Sequence, residues 1–377
     1  MLLTQPRITI DLNAVRDNYL ALKKQAPNVE VCPMMKGYGY GLGLVEVVRP
    51  LVENGCKAVY VSFINEGILL RKAFPKLQIN VVNGIFEGTE QLFPEHRLTP
   101  VFNSLQQLER WEDIVSSAST DAIIQVETGM HRLGIFESEW GQLTPERLKR
   151  DRVTLMMTHF ACAQEATERS NDLQRTADVC EQNKHQFEAY RRALEHFRLP
   201  GSVSLDVYTI RPKKEPIAQV RSGSAILFGM VNFLNEYPFL KNLHLLPTIT
   251  IQAPIVQIET LHIGDRVSYG GSYEAKRESK VAVVAMGYSH GLPKTLSNCG
   301  SMWFSDGSTW YAAPIVGKIC MDLTVCDVTN VPQAALEQGW ASPINEHYTI
   351  NDMLTDANRS RSEISLGFAR MEWVYKG

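Results

Sequence analysis

The chain has 377 residues and a formal net charge of −3, with 44% hydrophobic and 21% charged residues. That is globular composition, and at roughly 150 residues per domain it predicts two or three domains, each able to bury a core. A pI near 6.3 excludes the basic footprint of a nucleic-acid or anionic-membrane binder. No apolar run approaches the roughly 20 residues of a membrane span. The opening MLLTQPRITIDL has no basic region followed by an apolar core, so no signal peptide and a cytoplasmic location are expected. The seven cysteines (Cys32, Cys56, Cys162, Cys180, Cys299, Cys320, Cys326) are odd in number. None is paired as CxxC, which argues against a disulfide framework and a zinc site, and no metal is expected.

Candidate strands come first along the chain as VEVCPMM (29–35), AVYVSF (58–63), LQINVV (77–82) and TPVF (99–102). AIIQV (122–126), VTLMMTH (153–159), SVSLDV (202–207) and IAQVRSG (217–223) follow. Helical segments such as GLVEVVRPLVENG, INEGILLRKAF and SLQQLERWEDIV lie between them. Eight strands separated by helices fit an α/β fold of the (βα)8, TIM-like barrel type better than an open sheet. After about Asn235 the texture changes to β-type runs: LPTITIQAPIVQIETL, RVSYGGSY, KVAVVAMGY, SMWFSDGSTWY, APIVGKICMDLTVCDV and HYTI. A second, mainly β domain is expected there, with the boundary near 236–245, giving domains 1–240 and 241–377.

The first chemical cluster is MMKGYGYGLG, where Lys36 ends the first candidate strand and Gly37, Gly39, Gly41 and Gly43 follow. Glycines there permit positive φ or close approach to a ligand. A lysine beside an apolar run can lose proton affinity through desolvation and serve as an amine nucleophile or base. Taken alone, the same pattern also describes a solvated lysine before a turn.

With these blocks in view, the sequence resembles the alanine racemase family nearly end to end. ITIDLNAVRDNY, MMKGYGYGLG, VNGIFEG, VFNSLQQL, VETGMHRLG, THFACA, VRSGSAILFG, RVSYGGSYEA, GYSHGLP, PIVGKICMDL and SEISLGFARMEWVY follow in the family's order. The resemblance implies a pyridoxal 5'-phosphate racemase with a barrel and a C-terminal β domain. Lys36 would bind the cofactor covalently and act as one proton-transfer base, with Tyr269 as the second base on the opposite face. Two bases on opposite faces are what racemisation requires. The resemblance also implies His159 near the cofactor ring, hydrogen-bonding towards Tyr269. Arg221 would sit on the pyridine nitrogen, and Arg132 near the phenolic oxygen and the substrate. Tyr40, Ser204, Gly223 and Ser224 would hold the phosphate, and Met321 and Tyr288 would line the substrate side. Tyr269 and Met321 would come from the partner chain of a homodimer with shared sites.

Four departures from the family pattern stand out. Leu205 and Asp206 replace Asn-Ser at the phosphate stretch, placing a carboxylate there unless Ser204 takes the role. RSGSAILFG has Ser where Pro is usual and is one residue longer. Gln125 and Glu127 replace the lysine and aspartate that usually orient the arginine. GFARMEW lacks the tyrosine that narrows the entrance, with Phe368 and Ala369 nearby. Interconversion of L- and D-alanine, serving D-alanine biosynthesis, is the expected activity. The alternatives are a racemase for a larger amino acid and a cofactor-binding homologue without turnover; decarboxylation is disfavoured by the retained Tyr269, His159 and Arg221.

Overall fold

The computed structural model describes residues 4–163, 173–211, 216–229, 243–357, 361–368 and 371–377, with the side chains of 173–180 and 361–363 left aside. Strand β1 (Arg7–Asp11) is followed by β2 (Glu30–Pro33), β3 (Ala58–Val61), β4 (Gln78–Val81) and β5 (Thr99–Phe102). Then come β6 (Ala122–Gln125), β7 (Val153–Met157), β8 (Gly201–Ser204) and β9 (Gln219–Ser222). All eight expected strands are thus present, as β2 to β9, in one parallel sheet ordered β2-β9-β8-β7-β6-β5-β4-β3. A parallel bridge from Met34 to Tyr60 brings the sheet's two ends together into a nearly closed barrel.

Alternation along the strands sends every second side chain inward. Cys32, Ala58, Tyr60, Val101, Ile123 and Met157 form a buried cluster separate from the main core. Helices cover the outer face by presenting apolar stripes. In Leu44–Glu53 the buried residues are Leu44, Val47, Val48 and Leu51, one side of a helix of 3.6-residue period. The helix Leu12–Gln25 begins where the Asp11 carboxylate accepts the Ala14 N–H at 3.0 Å.

The second sheet is built from β10 (Ile249–Leu261), β13 (Ser279–Val284), β14 (Ser301–Ser305), β15 (Trp310–Pro314), β16 (Thr324–Asp327), β17 (Trp340–Ile344) and β18 (Glu372–Lys376). A small hairpin of β11 (Arg266–Val267) and β12 (Tyr273–Glu274) stands apart. The long β10 pairs with β13, β17 and β1. Strand β1 lies between β10 and β18, antiparallel to one and parallel to the other. The chain's first strand therefore belongs to the second sheet, although it precedes the barrel in sequence. Much of the boundary expected near 236–245 falls outside the described residues.

One expected β run is corrected. HYTI (347–350) is a loop leading into the helix Ile350–Ala357. The Asp352 carboxylate accepts both the N–H and the hydroxyl of Thr349 at 2.7 Å, which starts a helix rather than a strand. Strand β17, just upstream, was not among the expected runs; Pro343 inside it reads as a breaker from sequence. Among the described residues no helix is long and apolar enough to cross a membrane, and no group of His, Cys, Asp and Glu is arranged to hold a metal.

Candidate active site

The C-terminal ends of the barrel strands open into a cavity of about 580 Å³. Lys36 enters it from the segment after β2, Gln125 from β6, Arg132 from the loop that follows, and His159 from the end of β7. Ser204 closes β8, Arg221 lies within β9, and Gly223 and Ser224 follow it. Tyr40 completes this set on one wall.

Lys36 sits at the start of an unusual turn. Gly37, Tyr38 and Gly39 adopt φ of 63°, 53° and 71° with ψ of 40°, 49° and 39°, a left-handed helical turn that Tyr40 and Gly41 continue. This geometry points Tyr40 into the cavity while Tyr38 is exposed. The buried Glu66 carboxylate ties the turn to the next loop, accepting the N–H groups of Tyr38 at 2.8 Å, Ser62 at 2.9 Å and Phe63 at 3.1 Å. Burial, aided by the nearby Arg132 charge, holds the Lys36 amine below its usual lysine range, while Glu66 opposes the shift. The result is an amine with a raised neutral fraction at the cavity wall.

Two of the expected site residues, His159 and Arg221, lie in the cavity's most buried part. His159 is pushed down to about 3 by burial and by the charges of Arg221, Arg132 and Lys36, so its imidazole is neutral. Arg221 is buried, and it donates to the Ser202 hydroxyl at 2.7 Å and to the Thr158 carbonyl at 2.5 Å. Burial pulls its pKa down, yet a guanidinium stays protonated. Arg132 lines the cavity from an exposed loop, with no ion pair among the described residues. Gln125 and Glu127 arrange that loop. The Gln125 amide donates to the Leu133 carbonyl at 2.7 Å, and the Glu127 carboxylate accepts the N–H groups of Gly129 and Met130 at 2.5 and 2.6 Å.

At the opposite end two short helices, Leu205–Ile210 and Ser224–Phe228, start at the cavity. The Ser204 hydroxyl accepts the Val207 N–H at 3.4 Å, capping the first. A side chain added at Gly223 would meet the Met34 carbonyl and the Tyr40 ring at 2.8 Å each, so only glycine leaves this cradle open. Two helix starts, a tyrosine hydroxyl and two serines suit a phosphate group. Asp206 lines the same end, and with burial its charge raises Tyr40 to about 12. The carboxylate is the one element of the donor set that opposes an anion. The rest of the lining fits a phosphorylated aldehyde: a desolvated lysine, a glycine-backed cradle and a buried cation share the cavity.

Tyr269, Met321 and Tyr288 do not line this cavity. They stand on the second domain, 71%, 55% and 40% exposed. Their three loops are stitched together: Ser268 donates to the Lys318 carbonyl at 2.5 Å, the Tyr288 N–H donates to Cys320 at 3.1 Å, and the Ser289 hydroxyl donates to the Met321 carbonyl at 2.8 Å. The expected second base and the two expected substrate contacts thus share one exposed patch. Phe368 is fully buried and is no entrance residue, and Ala369 lies outside the described residues. Leu366, half exposed and 3.2 Å from a Cβ built on Gly37, is the side chain that stands beside the lysine turn.

Fold and site together define a class: barrel proteins with a desolvated lysine at the C-terminal mouth and a second, mainly β domain. The family model for the alanine racemase N-terminal domain matches residues 10–230, and that for the C-terminal domain matches 248–375. A catabolic alanine racemase from Agrobacterium fabrum is 31% identical over 96% of this chain and 90% of its own length. A biosynthetic alanine racemase from Mesorhizobium japonicum is 30% identical over 94% and 85%. Among solved structures, alanine racemase from Bartonella henselae with covalently bound pyridoxal phosphate aligns with a TM-score of 0.85 at 25% identity, covering 99% of this chain and 100% of that one. The Streptomyces lavendulae alanine racemase shares the fold with a TM-score of 0.86 at 23% identity, over 100% and 98%. The chain belongs to the alanine racemase family.

Proposed function

We propose that this protein is a pyridoxal 5'-phosphate-dependent racemase interconverting L- and D-alanine, working as a cytoplasmic homodimer whose sites are shared between copies. Residues 1–240 hold the cofactor and residues 241–377 supply the second base. The reading rests on one observation: a single cavity gathers Lys36, Tyr40, Arg132, His159, Ser204, Arg221, Gly223 and Ser224, while Tyr269 and Met321 stand outside it on one exposed patch.

Pyridoxal phosphate, when bound, supplies an electron-withdrawing ring that acidifies the α-hydrogen of an amino acid joined to it. Tyr40, Ser204, Gly223 and Ser224 would hold its phosphate, and Arg221, which stays protonated, would donate to its ring nitrogen. The Lys36 amine, its proton affinity lowered by burial, would take or return the α-proton on one face. The Tyr269 phenol of the second copy does so on the other face, and neutral His159 packs beside the ring and can accept a hydrogen bond from that phenol. Arg132 faces the substrate side, and Met321 and Tyr288 come with Tyr269.

The test mixes two inert variants by co-expression with different tags, Lys36→Ala and Tyr269→Phe. A shared site gives heterodimers one intact centre, so random assortment should restore about a quarter of native activity. Mixtures as inactive as their parents would place both bases on one chain. Assay of the native protein in deuterated water with single amino acids accompanies it, and inversion of no amino acid would sink the racemase reading. A racemase for a larger amino acid is the second reading, supported by GFARMEW, which lacks the tyrosine that narrows the entrance in the family. Exchange confined to larger amino acids would establish it.

A further inference from the structure

Arg221 is a buried cation that no carboxylate neutralises among the described residues. It is held by neutral groups alone, and their hydrogen bonds have a forced direction. A guanidinium only donates, so the Ser202 hydroxyl must accept from it at 2.7 Å. That hydroxyl then gives its own proton to Gln219 Oε1 at 3.0 Å. The same oxygen accepts from the Tyr60 hydroxyl across the barrel interior. The amide orientation of Gln219 is thereby fixed, with its Nε2 donating to Glu30 at 3.1 Å. Tyr60 also lays its ring near the guanidinium, 5.8 Å from Arg221 Cζ. Four strands contribute to this network, Glu30 from β2, Tyr60 from β3, Ser202 from β8 and Gln219 with Arg221 from β9, and Arg221 is the member that lines the cavity.

We propose that Tyr60, Gln219 and Ser202 form a positioning network that fixes the direction in which Arg221 donates into the cavity, so that Tyr60 acts through Arg221 on the cofactor's ring nitrogen. The proposal rests on the cofactor reading given above. Its physical content is that a lone arginine on a strand could swing between several acceptors. A hydroxyl locked between a glutamine oxygen and the guanidinium leaves it one pose. The competing account is that these groups merely satisfy one another inside a polar barrel.

Equilibrium binding to the apoprotein separates the two accounts, followed by quenching of tryptophan fluorescence. One probe is pyridoxal phosphate. The other is its analogue with the ring nitrogen replaced by C–H, which offers Arg221 no acceptor. The native apoprotein should prefer pyridoxal phosphate. Tyr60→Phe keeps the ring and removes only the hydroxyl. It should weaken pyridoxal phosphate about tenfold, the scale of a misdirected charged hydrogen bond, and leave the analogue's affinity unchanged. Ser202→Ala should do the same, and it carries the test if Tyr60→Phe does not fold. Equal losses for both probes, or no loss for either, would show a structural role only and overturn the proposal. A native apoprotein that binds both probes equally would overturn it too, by removing any bond to the ring nitrogen. A native apoprotein that binds neither would overturn the cofactor reading, and this inference with it.

Discussion

At the scale of single residues, burial decides what each titratable group can do. His159 is the clearest case, held at about 3 by desolvation and three surrounding cations. Its unfolded value is near 6.5, so between those limits the unfolded chain binds a proton that the native chain refuses. Stability should therefore be present above pH 6.5 and fall as pH drops towards 3, by up to about 1.4 kcal/mol for each pH unit. Denaturant unfolding of the apoprotein between pH 7 and 4 should show this slope, and His159→Asn should flatten it by one proton. An unchanged slope would mean that the imidazole titrates normally. Lys36 could be picked from the sequence because it ends an apolar run before alternating glycines, whereas His159 and Arg221 were marked by the resemblance of THFACA and VRSGSAILFG to the family. Tyr60, Ser202 and Gln219 could not, since an inward polar side chain on a four-residue strand looks like any other alternating position. Glu66 was hidden for a different reason: its three N–H partners lie on two loops that only the fold brings together.

At the scale of elements, the lysine segment stands out for its handedness. Five successive residues, from Gly37 to Gly41, have positive φ, and two of them are tyrosines. Each L-residue in that conformation costs about 1–2 kcal/mol, so alternating glycines limit the strain to Tyr38 and Tyr40. Gly41 is additionally pinned, because a Cβ there would come within 2.8 Å of the Ser365 carbonyl. Gly41→Ala should lose about 2 kcal/mol of stability and shift the lysine, read by denaturant unfolding together with cofactor affinity. Native values for both would show that the turn is not needed. The alternating glycines announced positive φ, but not a continuous left-handed turn, because spacing does not say what the intervening residues do. The same limit applies to HYTI, where one aspartate two residues beyond the run turned an apparent strand into a helix start.

At the scale of the whole molecule, the two domains are interleaved. The second sheet takes its strand β1 from the far end of the chain, and the Arg7 guanidinium donates to the Glu372 carboxylate at 2.8 Å, 365 positions away. Deleting residues 1–11 would strip both β10 and β18 of a partner and leave two open edges. The truncated protein should melt at a lower temperature and aggregate sooner than the native chain, as seen by fluorescence and light scattering. An unchanged melting point would mean that β1 is dispensable. Texture along the sequence separated the barrel from the β domain, but pairing across such a span leaves no local trace, so residues 7–11 carried no strand expectation and fell within the expected first domain.

Seating β1 beside β18 also sets a timetable at the ribosome. The first strand made cannot be enclosed until the last has emerged, which at typical translation rates is a wait of roughly 20 to 70 s. Until β10 emerges RITID has no partner strand, and until β18 follows one of its edges stays open; its charged ends, Arg7 and Asp11, are what discourage it from pairing with a neighbouring nascent chain.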